Sequence, residues 1–297
     1  MEEKISTKSK IQPIIGMFRL LTKSKAASFG LWVTVFYILL ATVAQLLIPL
    51  VTLKESPGNV LLPPRLWPPA YWFGTDYVGQ STLADIIGGA PFILETSFLA
   101  GIYTTVIGMI VGLVSGYAGG LVDSAVMWIN DTLLTLPSLL IVILIATMVK
   151  TTNPLVLAGV LSITGWTGLA RAVRSQVLSI KQLPYMEVSK VLGLNWSYIL
   201  FKEIMPQLIP FIWINLILNV ESAIYATVGL FYLGLMPFTS NNWGFMISNA
   251  ISLGAAYGTN ALWYFIFPTL FVTLFMVGLI ELAYGIDEIV NPRLRKA

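Results

Sequence analysis

Long apolar runs separated by short polar stretches set the pattern of this chain. Residues 26–53 carry no charged side chain, a run longer than the roughly 20 residues a helix needs to cross a bilayer core. Further apolar runs cover 92–116, interrupted by Glu95; 125–149, with Asp131 inside it; and 155–170, 208–235 and 262–284. Asn153-Pro154 marks a turn between the third and fourth spanning runs. The pattern predicts an all-α polytopic bundle of about six transmembrane helices, built as one membrane domain.

Two polar segments are too long to be simple turns. The first, 54–91, holds Pro57, Pro63, Pro64, Pro68 and Pro69, which exclude a continuous helix through its first half and predict an irregular external cap. The second, 171–206, mixes apolar and charged residues at helical spacing: Val173, Val177 and Ile180, then Val188, Val191 and Leu192, then Ile199 and Leu200. Short helices lying on the membrane face fit that pattern. Pro184 ends one helix and suits the start of the next, whose first turn carries Glu187, and Gly193 can take the positive φ that closes it. A compact, partly apolar hairpin of this kind fits a groove on a partner protein. The expected organisation is a tail over 1–25, a first helix over 26–53, an external segment over 54–91, a five-helix core over 92–286 and a tail over 287–297.

Composition agrees, with 57% hydrophobic and only 10% charged residues, where soluble domains carry about 25% charged. Of 17 Lys and Arg residues, six lie before residue 26, five within 171–206 and three beyond 290. Positive charge is retained on the cytoplasmic side, so both termini and the 171–206 segment are expected inside the cell, in a multi-pass cell-membrane protein. The net charge of +3 reads as orientation in the membrane, with no nucleic-acid partner. The first run lacks a small-residue cleavage pattern and is expected to be retained as a span. There is no Cys and no His, which excludes disulfides, thiolate or imidazole metal sites and any imidazole base. No G-x-x-x-x-G-K-[ST] loop occurs, so no cofactor and no nucleotide are expected on this chain.

Several polar residues fall inside apolar runs. An ionised Glu221 near the middle of 208–235 costs on the order of 3 kcal/mol on insertion scales, so it is expected at a pore, a partner helix or a paired cation, or else as a protonated structural acid. Asp131 is expected to partner a neighbouring helix, and Arg171 and Arg174 to anchor the inner end of a span. Gly108, Gly112 and Gly116 give small-xxx-small spacing for close packing, within the bundle or against a partner. Trp67, Trp72, Trp213 and Trp263 read as interface belt. A carboxylate protease using Asp131 with Glu221 or Asp287 fares poorly, because Gly285-Ile286-Asp287 lacks the first Gly of a Gly-x-Gly-Asp motif. A stand-alone channel leaves the 171–206 segment without a role.

Glu187-Val188-Ser189-Lys190-Val191-Leu192-Gly193, followed by Ile204-Met205-Pro206, resembles the EAA loop of ATP-binding-cassette importer permeases. Gly74-Thr75-Asp76 with Gly79, Gly116 to Asp123, Leu136-Pro137-Ser138, Gly165-Trp166, Ala170-Arg171 with Arg174, Trp243-Gly244 and the terminal Asn291-Pro292 follow in order. Together they resemble the dipeptide/oligopeptide permease family, its C-type subunit in particular, over about 28–295. The chain departs from that family's usual pattern at Gln80-Ser81, at Trp128 and at Thr227, with Glu221 six residues before the last. The resemblance implies a type I importer permease working by alternating access. It implies ATPase coupling through Tyr185, Glu187, Ser189, Lys190, Gly193 and Pro206, and a translocation path or subunit interface near Glu221 and Trp166. It further implies a second homologous permease, two ATPase subunits that hold ATP and Mg, an external substrate-binding protein, and peptides, oligosaccharides or nickel complexes as cargo.

Overall fold

The computed structural model describes residues 24–239 and 241–290; the expected tails lie almost wholly outside them. The described residues form helices and turns with no strand. Helix α1 (Lys25–Thr42) continues through a 3-10 turn and the short helix Ile48–Val51. After an irregular segment come α2 (Thr82–Ala118), α3 (Gly120–Thr135), α4 (Ser138–Val149) and α5 (Pro154–Lys181). Then follow α6 (Pro184–Val191), α7 (Met205–Tyr232), α8 (Trp243–Ser252) and α9 (Ala261–Val290). Five helices are long and apolar enough to cross a membrane, or six if the bent pair α3 and α4 counts as one span.

The helix ends differ from the sequence expectation in ways that have local causes. Helix α2 starts at Thr82 rather than 92, because the Ser81 hydroxyl caps the Ala84 amide at 3.3 Å. Pro91 therefore sits inside the helix. A proline there deprives the Ile87 carbonyl of its partner, and Gln45 Nε2 donates to that carbonyl at 2.6 Å instead. The expected continuous span over 125–149 is broken, with α3 and α4 meeting at 84° on either side of Leu136-Pro137. Helix α5 does not stop at residue 170 but runs to Lys181, so Arg171 and Arg174 belong to the helix and not to a loop. Helix α8 lies within the stretch between the fifth and sixth apolar runs. Its Asn242 cap accepts from the Gly244 amide at 3.0 Å, and the fully buried Trp243 donates its indole N–H to the Ile86 carbonyl at 3.0 Å.

The segment between Val51 and Thr82 is the expected irregular cap, with two 3-10 turns at Pro57–Asn59 and Pro69–Tyr71. Asp76 folds it locally, its Oδ1 accepting from the Val78 amide at 3.0 Å and the Gln80 amide at 2.7 Å. Phe73 stacks on Phe267 of α9 at 4.2 Å between ring centres. The cap is thereby seated on the bundle.

Helix α2 packs along α5 and α7, and α9 packs along α1, α7 and α8. The α2–α5 contact runs through the glycine stripe. A Cβ at Gly112 would stand 2.5 Å from the Ala170 carbonyl oxygen and 2.7 Å from Val173 Cβ, and Gly108 and Gly116 meet Leu169 and Val177 as closely. The stripe is thus used within the bundle. Gly112→Leu is expected to lower the unfolding temperature of the purified chain by several degrees, since overpacking a helix contact costs about 1–3 kcal/mol. Gly159→Ala, at an open position of α5, is expected to leave it unchanged or raise it; circular-dichroism melts of the two variants check this.

Candidate coupling surface

The loop between α5 and α7 builds a small projecting unit. Lys181 ends α5, and Pro184 opens α6 two residues after the Gln182 cap. One face of α6 is held by the bundle. Met186 is fully buried among Leu113 of α2, Val173, Val177 and Ile180 of α5, and Ile199, Ile204 and Leu208 after it. The Ser189 hydroxyl donates to Glu203 at 2.8 Å, and Gln207 Nε2 donates to the Tyr185 hydroxyl at 2.5 Å and the Glu203 carbonyl at 2.7 Å. Met186 and Ser189 are three residues apart, on one side of the helix.

The other face is open. Val191 is 87% exposed and Leu192 70%, with Tyr185, Glu187 and Val188 exposed beside them. Gly193 has φ of +68°, a value that suits glycine. It turns the chain so that the Leu194 amide donates to the Ser189 carbonyl at 3.2 Å. Lys190 lies on the same helix, but its side chain is outside the described residues. Asn195 then caps a short turn at Tyr198, 2.8 Å from its amide. A π-helical turn over Ile199–Ile204 leads without a break into α7, where Pro206 occupies the first turn and needs no partner for its missing N–H. Tyr185, Glu187, Ser189, Gly193 and Pro206 are therefore brought into one unit, in which Ser189 and Tyr185 hold the helix in place while Glu187 and the exposed apolar residues form its outer surface.

Three cations of α5 tie this unit to α2 and α3. Arg174 forms a bidentate pair with Asp123 at 2.6 Å for both nitrogens, and Ser115 donates to the same carboxylate. Arg171 pairs with Asp131 at 2.5 Å, both side chains being 55% exposed. Lys181 Nζ donates to the carbonyls of Gly116 at 3.1 Å and Tyr117 at 2.8 Å, satisfying the end of α2 and placing a positive charge at its negative pole. Asp131 thus has a helix partner as expected, whereas Arg171 and Arg174 act as more than membrane anchors. The spacing of charges in sequence could not reveal these pairs, because Arg174 and Asp123 lie 51 residues apart.

A cavity of about 240 Å³ lies between α2, α4, α5 and α7. Its lining is uncharged and mostly apolar, with Ala100, Leu139, Val142 and Leu161 among its walls, and Thr104, Ser138, Thr164, Asn219, Ser222 and Tyr225 supply scattered polar groups. Glu221 and Trp166 do not line it. Glu221 is half-buried on the stripe of α7 that also carries Ile217, Ile224 and Val228, residues packed in the core with α9. Trp166 donates its indole N–H to Ile163 of its own helix at 2.8 Å, and its carbonyl lies against Gly108.

The sequence model of binding-protein-dependent transport system inner membrane components matches residues 105–296. The chain belongs to that family. The permease is 33% identical to the dipeptide transport system permease protein DppC of Bacillus subtilis (strain 168) over 282 residues, covering 94% of this chain and 85% of that one. It is 34% identical over 299 residues to the oligopeptide transport system permease protein OppC of the same organism, covering 99% and 94%. It is 30% identical over 249 residues to the probable D,D-dipeptide transport system permease protein DdpC of Escherichia coli (strain K12), with 80% of each covered. The chain is therefore a multi-pass membrane permease of the transport class.

Replacing Asp123 by Asn is expected to loosen the permease at the α6 end and lower its unfolding temperature, because hydrogen bonds to charged groups contribute about 1.5–3 kcal/mol. A double-mutant cycle of Asp123→Asn with Arg174→Gln, read by thermal melts, is expected to show the two losses to be strongly non-additive.

Proposed function

We propose that this permease is a transmembrane subunit of an ATP-driven importer that moves peptides delivered by an external binding protein. The observation that carries the proposal is α6, a helix pinned by Met186 and Ser189 on one side and presenting an unpartnered apolar face with Glu187 on the other. A separate ATPase subunit fits that face. In this reading two such subunits hold ATP and magnesium, a second homologous permease completes the pathway, and both termini lie in the cytoplasm.

Movement of the ATPase pair would act on α6 and pass through its anchors to α2, α5 and α7. The cavity between those helices is the natural stretch of the path on this chain. Its uncharged, mostly apolar lining with a few hydroxyl and amide groups suits a neutral peptide backbone with apolar side chains rather than a fixed charge. The names of the relatives, which are dipeptide, oligopeptide and D,D-dipeptide permeases, support the same cargo class.

Two experiments on the assembled transporter in proteoliposomes test this. Gly193→Pro imposes a negative φ where the chain needs a positive one, and Glu187→Arg reverses the charge of the outer face. Each is expected to reduce peptide uptake about 5- to 150-fold, the range of a coupling worth about 1–3 kcal/mol, while ATP hydrolysis continues. Normal uptake in both would refute the coupling assignment. Ser222→Trp is expected to block uptake by filling the cavity while hydrolysis stays responsive to the binding protein; unimpaired uptake would remove the cavity from the path.

A further inference from the structure

A second polar cluster lies where the cap meets the bundle. Asp76 of the cap is 1% exposed and Asp85 of α2 is 5% exposed. Asp76 spends Oδ1 on two backbone amides, but its Oδ2 has no partner, and neither has Oδ2 of Asp85. The fully buried Thr82 hydroxyl is also without a partner. The fully buried Tyr264 hydroxyl lies within electrostatic reach of both carboxylates, with the side-chain amide of Asn249 on α8 as its hydrogen-bonding neighbour. Among the described residues no Lys or Arg forms an ion pair with either aspartate.

Two carboxylates in each other's field, with no cation beside them, are a costly thing to bury, since even one uncompensated buried ion costs several kcal/mol. Burial holds the Asp76 carboxyl above the usual carboxylate range, despite the backbone amides of Gln80 and Val78 that pull it down. The unpartnered groups are carboxylate and hydroxyl oxygens, the donor set of hard cations. Two carboxyls that can ionise together match the charge of a divalent ion. An opening of about 520 Å³ beside Asp85, bordered by Thr52, Gln80, Thr239 and Asn241, gives such an ion and its waters a way in.

We propose that Asp76 and Asp85, with the hydroxyls of Thr82 and Tyr264, form a calcium site that fastens the cap to the helix bundle. The ion joins the cap, the first turn of α2 and the start of α9 at one point, with α8 alongside. Hydroxyl ligation uses remaining oxygen lone pairs, and the ion accounts for the orphaned oxygens of Asp76, Asp85 and Thr82 together. The site is independent of the peptide-import reading and stands or falls by itself.

The test uses the full chain purified in detergent, stripped with EDTA, dialysed and titrated with calcium chloride or terbium chloride. About 1 mM calcium, the range to which extracellular oxygen sites respond, is expected to raise the unfolding temperature by several degrees. Terbium emission sensitised by Tyr77 and Tyr264 is expected to saturate. Asp76→Asn and Asp85→Asn, both isosteric, are each expected to weaken calcium binding about tenfold or more, while Glu281→Gln at the far end of α9 changes nothing. Absence of saturable terbium emission and of a calcium shift in the unsubstituted chain overturns the site. So does a shift that survives both substitutions, or an equal response to sodium chloride at matched ionic strength. Stabilisation by mild acid with no response to calcium would assign a shared proton to the pair and overturn the proposal.

Discussion

Inside a bilayer two helices gain nothing by hiding apolar surface from each other, because the lipid is as apolar as they are, so contact itself must hold them together. In this chain the contact is made where Gly108, Gly112 and Gly116 let the backbone of α5 come up against α2. The position of almost everything else near α6 follows. Arg174 can reach Asp123 and Lys181 can reach the end of α2 only because the two helices are already close. Met186 finds a pocket only because α2 and α5 supply its walls together.

The cap end is organised by the opposite device, a deliberately unsatisfied backbone. Pro91 removes one hydrogen bond from α2, and the released Ile87 carbonyl becomes the docking point for Gln45. The adjacent Ile86 carbonyl receives the indole of Trp243. Through these two bonds α2 is gripped from both sides, by the α1 segment and by α8, without any charged group. The permease thus has a polar, ion-paired end and an end fastened by amides, aromatic rings and buried acids.

Much of this could be read from the sequence, for reasons visible in particular residues. Uncharged runs marked the spans because no water is available there to solvate a charge. Pro184 and Gly193 bracketed α6 correctly, since one lacks an N–H and the other tolerates a positive φ regardless of context. The reading failed where a distant partner changes what a residue can do. Arg171 and Arg174 were expected as anchors at the end of a span ending near residue 170 but lie within α5, paired with Asp131 and Asp123. Pro91 looked like a helix boundary but is inside α2, because Gln45 lies close by. Pro137, with no such help, broke a span that hydrophobicity alone had drawn as continuous. Asp76 entered the sequence reading only through the Gly74-Thr75-Asp76 resemblance and Asp85 fell unremarked in the expected external segment, and only their burial sets them apart.

Chain length between α6 and α7 is not free to vary. The π-helical turn Ile199–Ile204 takes up one more residue than an α-helical turn would before the chain enters α7. A further residue inserted there, with no wider turn to take it up, would swing everything before it by about 100° around the axis. Met186 would leave its pocket, Ser189 would lose Glu203, and the outer face of α6 would point elsewhere. Residue count in this stretch is therefore an aiming device. Substitutions among its apolar letters should be absorbed by repacking, whereas a further inserted residue would misdirect the whole projecting unit.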